Sequence, residues 1–177
     1  EERFGGARLR VVFTVTGDVT IPVPPGAWEL VVSHGFEYDV VRRPLTVTAG
    51  QTVEVLAELP LEVDTSGTMC GDFHIHTARS NDSGDDAVVK VASAIADGLE
   101  LPVRSEHEYV ADFAAEIAAL GGQQWAAGFG SIELTSFEMW GHMGVFPLMP
   151  DAAQVNGGAP RWQTFPTADR PDEAFAT

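Results

Sequence analysis

From Arg3 to about Leu59 the apolar residues fall on alternate positions: Leu9, Val11, Phe13 and Val15, then Trp28, Leu30 and Val32, then Val53, Val55, Ala57 and Leu59. Side chains alternate across a strand, so this period predicts strands with one buried face. Turn-forming residues punctuate the run at Gly17-Asp18, Pro24-Pro25-Gly26, His34-Gly35, Arg43-Pro44 and Ala49-Gly50. That rhythm, roughly every eight to twelve residues, is the spacing of an antiparallel sandwich. Residues 1–63 therefore read as a small all-β domain, with His34 a solvated residue in a hairpin turn.

A polar stretch through Glu62, Asp64, Thr65, Ser66, Gly67 and Thr68 ends the alternation and marks a boundary, so that a second domain spans 64–177. There Val88, Val91, Ala92, Ile95 and Leu99 recur at helical spacing, with Asp85 and Asp86 at the start and Gly98 as the stop. A short apolar run from Leu99 to Val103 leads into Ser105-Glu106-His107. Phe113, Ile117 and Leu120 predict a second helix from about Val110 to Leu120, ended by Gly121-Gly122. Strand-like runs follow at 129–135 and 142–148. The order strand, helix, strand, helix, strand, strand predicts an α/β region with a largely parallel sheet. Past Pro150 the chain reads as loop until Arg170–Thr177, which looks like the first turn of a helix.

Composition adds limits. The chain has 177 residues and is 45% hydrophobic, enough for a real core. Its 26 acidic and 10 basic residues give a formal charge of −16, which repels nucleic-acid backbones and anionic lipid surfaces. No apolar run approaches the roughly 18 residues of a membrane span. The first residue is not Met and no signal-like segment follows, as in a processed or recombinant mature fragment. The one cysteine, Cys70, cannot form an internal disulfide and does not identify a compartment. It reads as a small apolar residue at the start of a strand, with a ligand role as the weaker alternative.

The chemistry concentrates after Met69. In Gly71-Asp-Phe-His-Ile-His-Thr-Ala-Arg-Ser-Asn-Asp82, His74 and His76 are alternate residues of a short strand, so both rings face one way and can hold one metal ion. A polar run from Ser80 to Gly84 follows, the kind of loop that opens a strand end to solvent. Two histidines on an exposed strand face would look the same, so the case rests on partners. His74, His76, Asp82, His107, Glu133 and His142 all fall at or near strand ends, where polar side chains of an α/β sheet converge. Imidazole with carboxylate suits Zn, Mn or Fe and disfavours calcium or a cysteine-zinc site. Each residue has a structural alternative: His107 as a solvated helix cap, His142 as a satisfied core histidine, Glu133 as a buried carboxylate with some other partner. Arg79 and Arg104 are candidate anion contacts, with surface solvation as the alternative for each.

The segment Gly71–Asp82 resembles the first motif of the PHP (polymerase and histidinol phosphatase) metal-dependent hydrolases. Glu133-Leu-Thr, with Trp140-Gly-His-Met-Gly-Val-Phe-Pro-Leu148, is similar to their CehA/McbA branch. The resemblance covers about residues 68 to 150. It implies the first half of an α/β (β/α)7 barrel and two or three divalent metal ions at its carboxyl mouth. His74 and His76 would bind one ion, and Glu133, the catalytic candidate, would bridge it to a second that His142 also binds. Asp82 and His107 would belong to a third, and Glu106 and Asp72 would support the ligands. The family commonly has Asp where this chain has Glu106, and often His where it has Asp82. It also closes its cluster with later ligands, including an Asp-x-His pair that does not occur after His142. A second polypeptide, or the remainder of the same precursor, is therefore expected to complete the barrel.

Val23-Pro-Pro-Gly-Ala-Trp-Glu-Leu-Val-Val-Ser33 and Phe36-Glu-Tyr-Asp-Val40 resemble the carboxypeptidase-regulatory-like β-sandwich, a domain that is usually non-catalytic and often accompanies exported proteins. It implies a periplasmic or extracellular setting. The expected function is a metal-dependent hydrolase of a small-molecule phosphoester, or of a carboxylic ester, carbamate or amide. The alternative is a binding or adaptor module with a vestigial metal site.

Overall fold

A computed structural model of the chain describes residues 2–4, 7–136 and 141–160, with side chains from Arg10 onward. The turn of helix expected at 170–177, and Trp140, lie outside the described residues.

The alternating N-terminal sequence forms two hairpins. Strands β1 (Glu2–Phe4) and β2 (Ala7–Leu9) pair antiparallel, as do β3 (Gly26–Val32) and β4 (Val41–Val47). No regular strand covers 11–15 or 53–59, where Val11, Val53, Val55 and Leu56 are exposed. The sandwich expected over 1–63 thus appears, among the described residues, only as these hairpins. Alternation prepares a face for burial but does not supply the sheet that buries it. Arg43-Pro44 is likewise a break in the sequence that the chain runs through: Pro44 sits inside β4 opposite Glu29. In a two-stranded sheet each strand has a free edge, so a residue without an N–H is tolerated there.

His34 is not a solvated turn residue. It is half-buried, with Nδ1 2.9 Å from the carbonyl of Ala96, 62 positions along the chain. Its ring also lies against Tyr38, with centroids 5.0 Å apart.

Helix α1 (Ala87–Ala96) begins where the two aspartates precede the apolar stripe. Asp86 is its N-cap, and the carboxylate accepts from the Val88 N–H at 2.8 Å. Gly98, at φ +78°, turns the chain out of the helix so that the Leu99 N–H reaches the Ala94 carbonyl at 2.9 Å. Helix α2 (Ala114–Ala119) is shorter than the apolar spacing predicts. The Val110 N–H donates to Asn156 O at 3.0 Å and Ala111 bridges to Ser131, so the residues expected to form the first turn are held elsewhere. Phe113 is the N-cap of the shortened helix, and the Asp112 carboxylate before it accepts from the Ala114 N–H at 3.0 Å.

The remaining strands, β5 (Gly71–Ile75), β6 (Leu101–Arg104), β7 (Phe129–Thr135) and β8 (His142–Leu148), form one sheet in that order. β5, β6 and β7 are parallel, and β8 returns antiparallel to β7. Gly130 permits that return, because a Cβ there would collide with the Leu148 carbonyl. Ile75, Val91, Ile95, Phe113, Ile117 and Ala126 pack together between sheet and helices, and Val110, Ile132 and Leu134 form a second core. A fully buried side chain of this kind contributes about 1.5–3 kcal/mol.

Parallel strands end at the same edge, which gathers the residues after β5, β6 and β7. Because β8 is antiparallel, it starts at that edge too: Thr135 pairs with His142. Four strands thus present their polar ends together.

Candidate metal centre

Glu133 lies near the end of β7 and is only 4% exposed. Its Oε2 is 3.2 Å from His74 Nε2, 2.9 Å from His76 Nε2 and 3.5 Å from His107 Nδ1, while Oε1 is 2.7 Å from His142 Nδ1. No lysine or arginine pairs with it among the described residues. Asp82 closes the other side, 3.1 Å from His107 Nε2 and 3.5 Å from His76 Nδ1. The structure therefore brings His74, His76, Asp82, His107, Glu133 and His142 into one cluster. It contains three groups that could each hold an ion: His74, His76 and Glu133; His76, Asp82 and His107; His107, Glu133 and His142.

Oε2 of Glu133 is buried and makes no hydrogen bond, although three imidazole nitrogens surround it. A buried carboxylate oxygen without a donor is costly. Imidazole nitrogens converging on a carboxylate oxygen that has no hydrogen bond are the arrangement a cation would satisfy. Tetrahedral ligands at about 2.1 Å from zinc lie about 3.4 Å apart, close to these separations. The donor set fits divalent Zn, Mn or Fe.

Local structure aims each ligand. The ladder between β5 and β6 is irregular between Asp72 and Ile75, and the His74 N–H is capped by Asp72 Oδ1 at 2.9 Å. Such a bulge re-aims a side chain, here the His74 ring. Asp72 therefore acts on the ligand through its backbone.

Glu106 is fully buried and acts through hydroxyls. Its Oε2 accepts from Ser80 Oγ at 2.5 Å and from the Thr77 N–H at 3.2 Å; Oε1 accepts from Arg104 Nε at 2.7 Å and from the Thr77 hydroxyl. Burial is the largest single influence on this carboxyl and would raise its pKa, but the hydrogen bonds from Ser80, Thr77 and Arg104 together hold it below the usual range. Since Ser80 donates to Glu106, its lone pairs face His76 Nδ1 at 3.1 Å and the His107 N–H at 3.1 Å. His76 then carries its proton on Nδ1 and turns the Nε2 lone pair toward Glu133. Asp82 is held below the ordinary carboxylate range, chiefly by its hydrogen bond with His107.

Lone-pair counting narrows the three groups. A neutral imidazole offers one lone pair, so His76 and His107 cannot each serve two ions. The groups His74, His76, Glu133 and His107, Glu133, His142 share no histidine. Glu133, with two oxygens, can belong to both.

Ser80, Thr77, Thr135 and Glu108 are working residues that the sequence pattern does not single out. His107 Nδ1 is 2.6 Å from Thr135 Oγ1, and Glu108 Oε1 accepts from the Thr135 N–H at 2.6 Å. The available signal was hydroxyl residues inside the ligand loop itself, at Thr77 and Ser80. Arg104 is neither solvated nor a free anion contact. Its side chain is 13% exposed, bonded to Glu106 and Glu116, and over the Phe113 ring. Cys70 belongs to none of the ligand groups, and its N–H donates to Glu100. No helix among the described residues is long and apolar enough to cross a membrane. Compared with protein-family models, with curated proteins and with solved structures, the chain matches none.

Proposed function

We propose that the chain carries the core of a metal-dependent hydrolase that works with two divalent ions. The observation that carries this reading is the buried Oε2 of Glu133, without a hydrogen bond and facing the nitrogens of His74, His76 and His107. His74, His76 and Glu133 would hold one ion, and His107, Glu133 and His142 the other. Ions held there would supply Lewis acidity and an acidified water as nucleophile toward phosphorus or a carbonyl carbon. The protein's own part is positional: Ser80 fixes the His76 tautomer, Asp72 sets the His74 backbone, and Asp82 steadies His107 from the open side. The resemblance of Gly71–Asp82, and of Glu133-Leu-Thr with Trp140–Leu148, to the PHP hydrolases agrees with this reading.

The same reading includes a missing wall. Phe73, Phe129 and Phe146 stack edge to face, with centroids 5.1 and 5.8 Å apart, and are 52%, 39% and 41% exposed. An aromatic group this open on the sheet that bears the cluster supports completion of the barrel by a further segment, on a second polypeptide or elsewhere in the same precursor.

Metal analysis together with a panel of p-nitrophenyl phosphate and p-nitrophenyl acetate tests the proposal. The expected result is at least two ions per particle and turnover that His74→Ala abolishes. Metal without turnover on either ester class would favour a binding module.

A further inference from the structure

Arg79 differs from the other cations around the cluster. Arg104 is tied to Glu106 and Glu116, and Lys90 to Asp85. Arg79 is exposed, and its guanidinium has no hydrogen bond or ion pair among the described residues, in a chain with 26 acidic residues. Instead it lies on the face of Tyr109, with Cζ 3.4 Å from the ring centroid. Stacking fixes the plane of the guanidinium while leaving its edge, with the N–H donors, open.

Both members of this pair stand on the loops that carry the ligands. Arg79 lies between Thr77 and Ser80, which both bond Glu106, and Ser80 Oγ is 3.1 Å from His76 Nδ1. Tyr109 is two residues beyond His107 and bridges back to Glu106. Between them Glu108 adopts φ +56°, a left-handed conformation that a residue with a side chain seldom takes. It is held there from two sides: its N–H donates to Glu133 O at 3.1 Å, and its carboxylate accepts from the Thr135 N–H at 2.6 Å. A strained backbone kept in place by surrounding bonds next to a ligand is a feature of functional sites. Here it brings the Tyr109 ring under Arg79.

We propose that Arg79, stacked on Tyr109 on the loops that carry the cluster residues, binds an oxyanion of the substrate through its guanidinium edge. This rests on the hydrolase reading and narrows its substrates to molecules bearing a phosphoryl or carboxylate group. Such groups accept two parallel N–H bonds from a guanidinium fork. A local cation is also needed, because the formal charge of −16 and Asp82, three residues further along the same loop, repel an approaching anion.

The test is calorimetric titration of the full metal-loaded chain with inorganic phosphate and, separately, with benzoate, on wild type, Arg79→Gln, Arg79→Lys and Tyr109→Leu. Metal content and circular dichroism are measured for each. Arg79→Gln is expected to keep its metal and weaken one of the two anions tenfold or more. Arg79→Lys restores only part of that, and Tyr109→Leu gives a smaller loss. Loss confined to phosphate identifies a phosphoryl group, and loss confined to benzoate a carboxylate. Metal-loaded Arg79→Gln binding both anions within twofold of wild type overturns the assignment and leaves the metal reading intact. Wild type that takes up no metal overturns both.

Discussion

The N-terminal hairpins and the α/β region answer the same hydrophobic patterning in different ways. In the α/β region the apolar stripe of α1 meets a sheet, and Val91 and Phe113 are fully buried. In the N-terminal region Phe36 is 97% and Leu56 85% exposed, and among its described residues only Val15 packs against the main core. The difference is one of partners. A helical stripe next to a parallel strand has its covering surface built into the βαβ connection, whereas an alternating strand depends on another sheet. A second difference is polar. The α/β region binds its loops with a buried network around Glu106, while the N-terminal region is joined to it by single contacts such as His34 with Ala96.

This contrast can be broken by mutation. The largest stability effect is expected from Phe113→Ala, a loss of about 3–5 kcal/mol in denaturant unfolding, against no more than about 0.5 kcal/mol for Leu56→Ala. Equal losses would mean that the N-terminal stretch is buried in solution. Glu106→Gln comes next. It removes one of the two carboxylates that pair with the Arg104 guanidinium, Glu116 remaining, so a cost of about 1.5–3 kcal/mol is expected, with metal affinity weakened about 10- to 100-fold. Unchanged metal affinity in a folded Glu106→Gln protein would detach this network from the ligands. Ser80→Ala sharpens the point, because it keeps the Glu106 carboxylate and removes the one hydroxyl that links it to His76 and to the His107 N–H. Stability is expected to fall by about 1–2 kcal/mol and metal affinity by about tenfold. His34→Ala should cost about 1 kcal/mol, measured by the same unfolding curves; no change would mean that its bond to Ala96 does not join the two regions.

The cluster was legible in the sequence because each of its residues is an imidazole or carboxylate at or near a strand end, and a parallel sheet delivers strand ends to one edge. His74, His76, Asp82, His107, Glu133 and His142 needed no more than that. Helix α1 was legible for a similarly local reason, since Asp86 and Gly98 mark its ends. The start of α2 was not: Val110 and Ala111 suit a helical stripe, but their backbone groups are taken by Asn156 and Ser131, far away in the chain. Nor was the partner of His34, 62 residues distant. Thr77 and Ser80 become meaningful only once Glu106 is known to lie buried between them. The stacking of Arg79 on Tyr109 joins two loops next to a left-handed Glu108, which no periodicity encodes.

Everything in the site turns on Glu133, which alone belongs to both of the ligand groups that share no histidine. Metal bound per chain, measured by elemental analysis and competitive chelation on wild type and Glu133→Gln side by side, is therefore the most direct test. About two tightly held ions in wild type, and at most one weakly held ion in a folded Glu133→Gln protein, is the predicted result. Equal stoichiometry and affinity in the two proteins, or no metal in wild type, would contradict a cluster centred on this carboxylate.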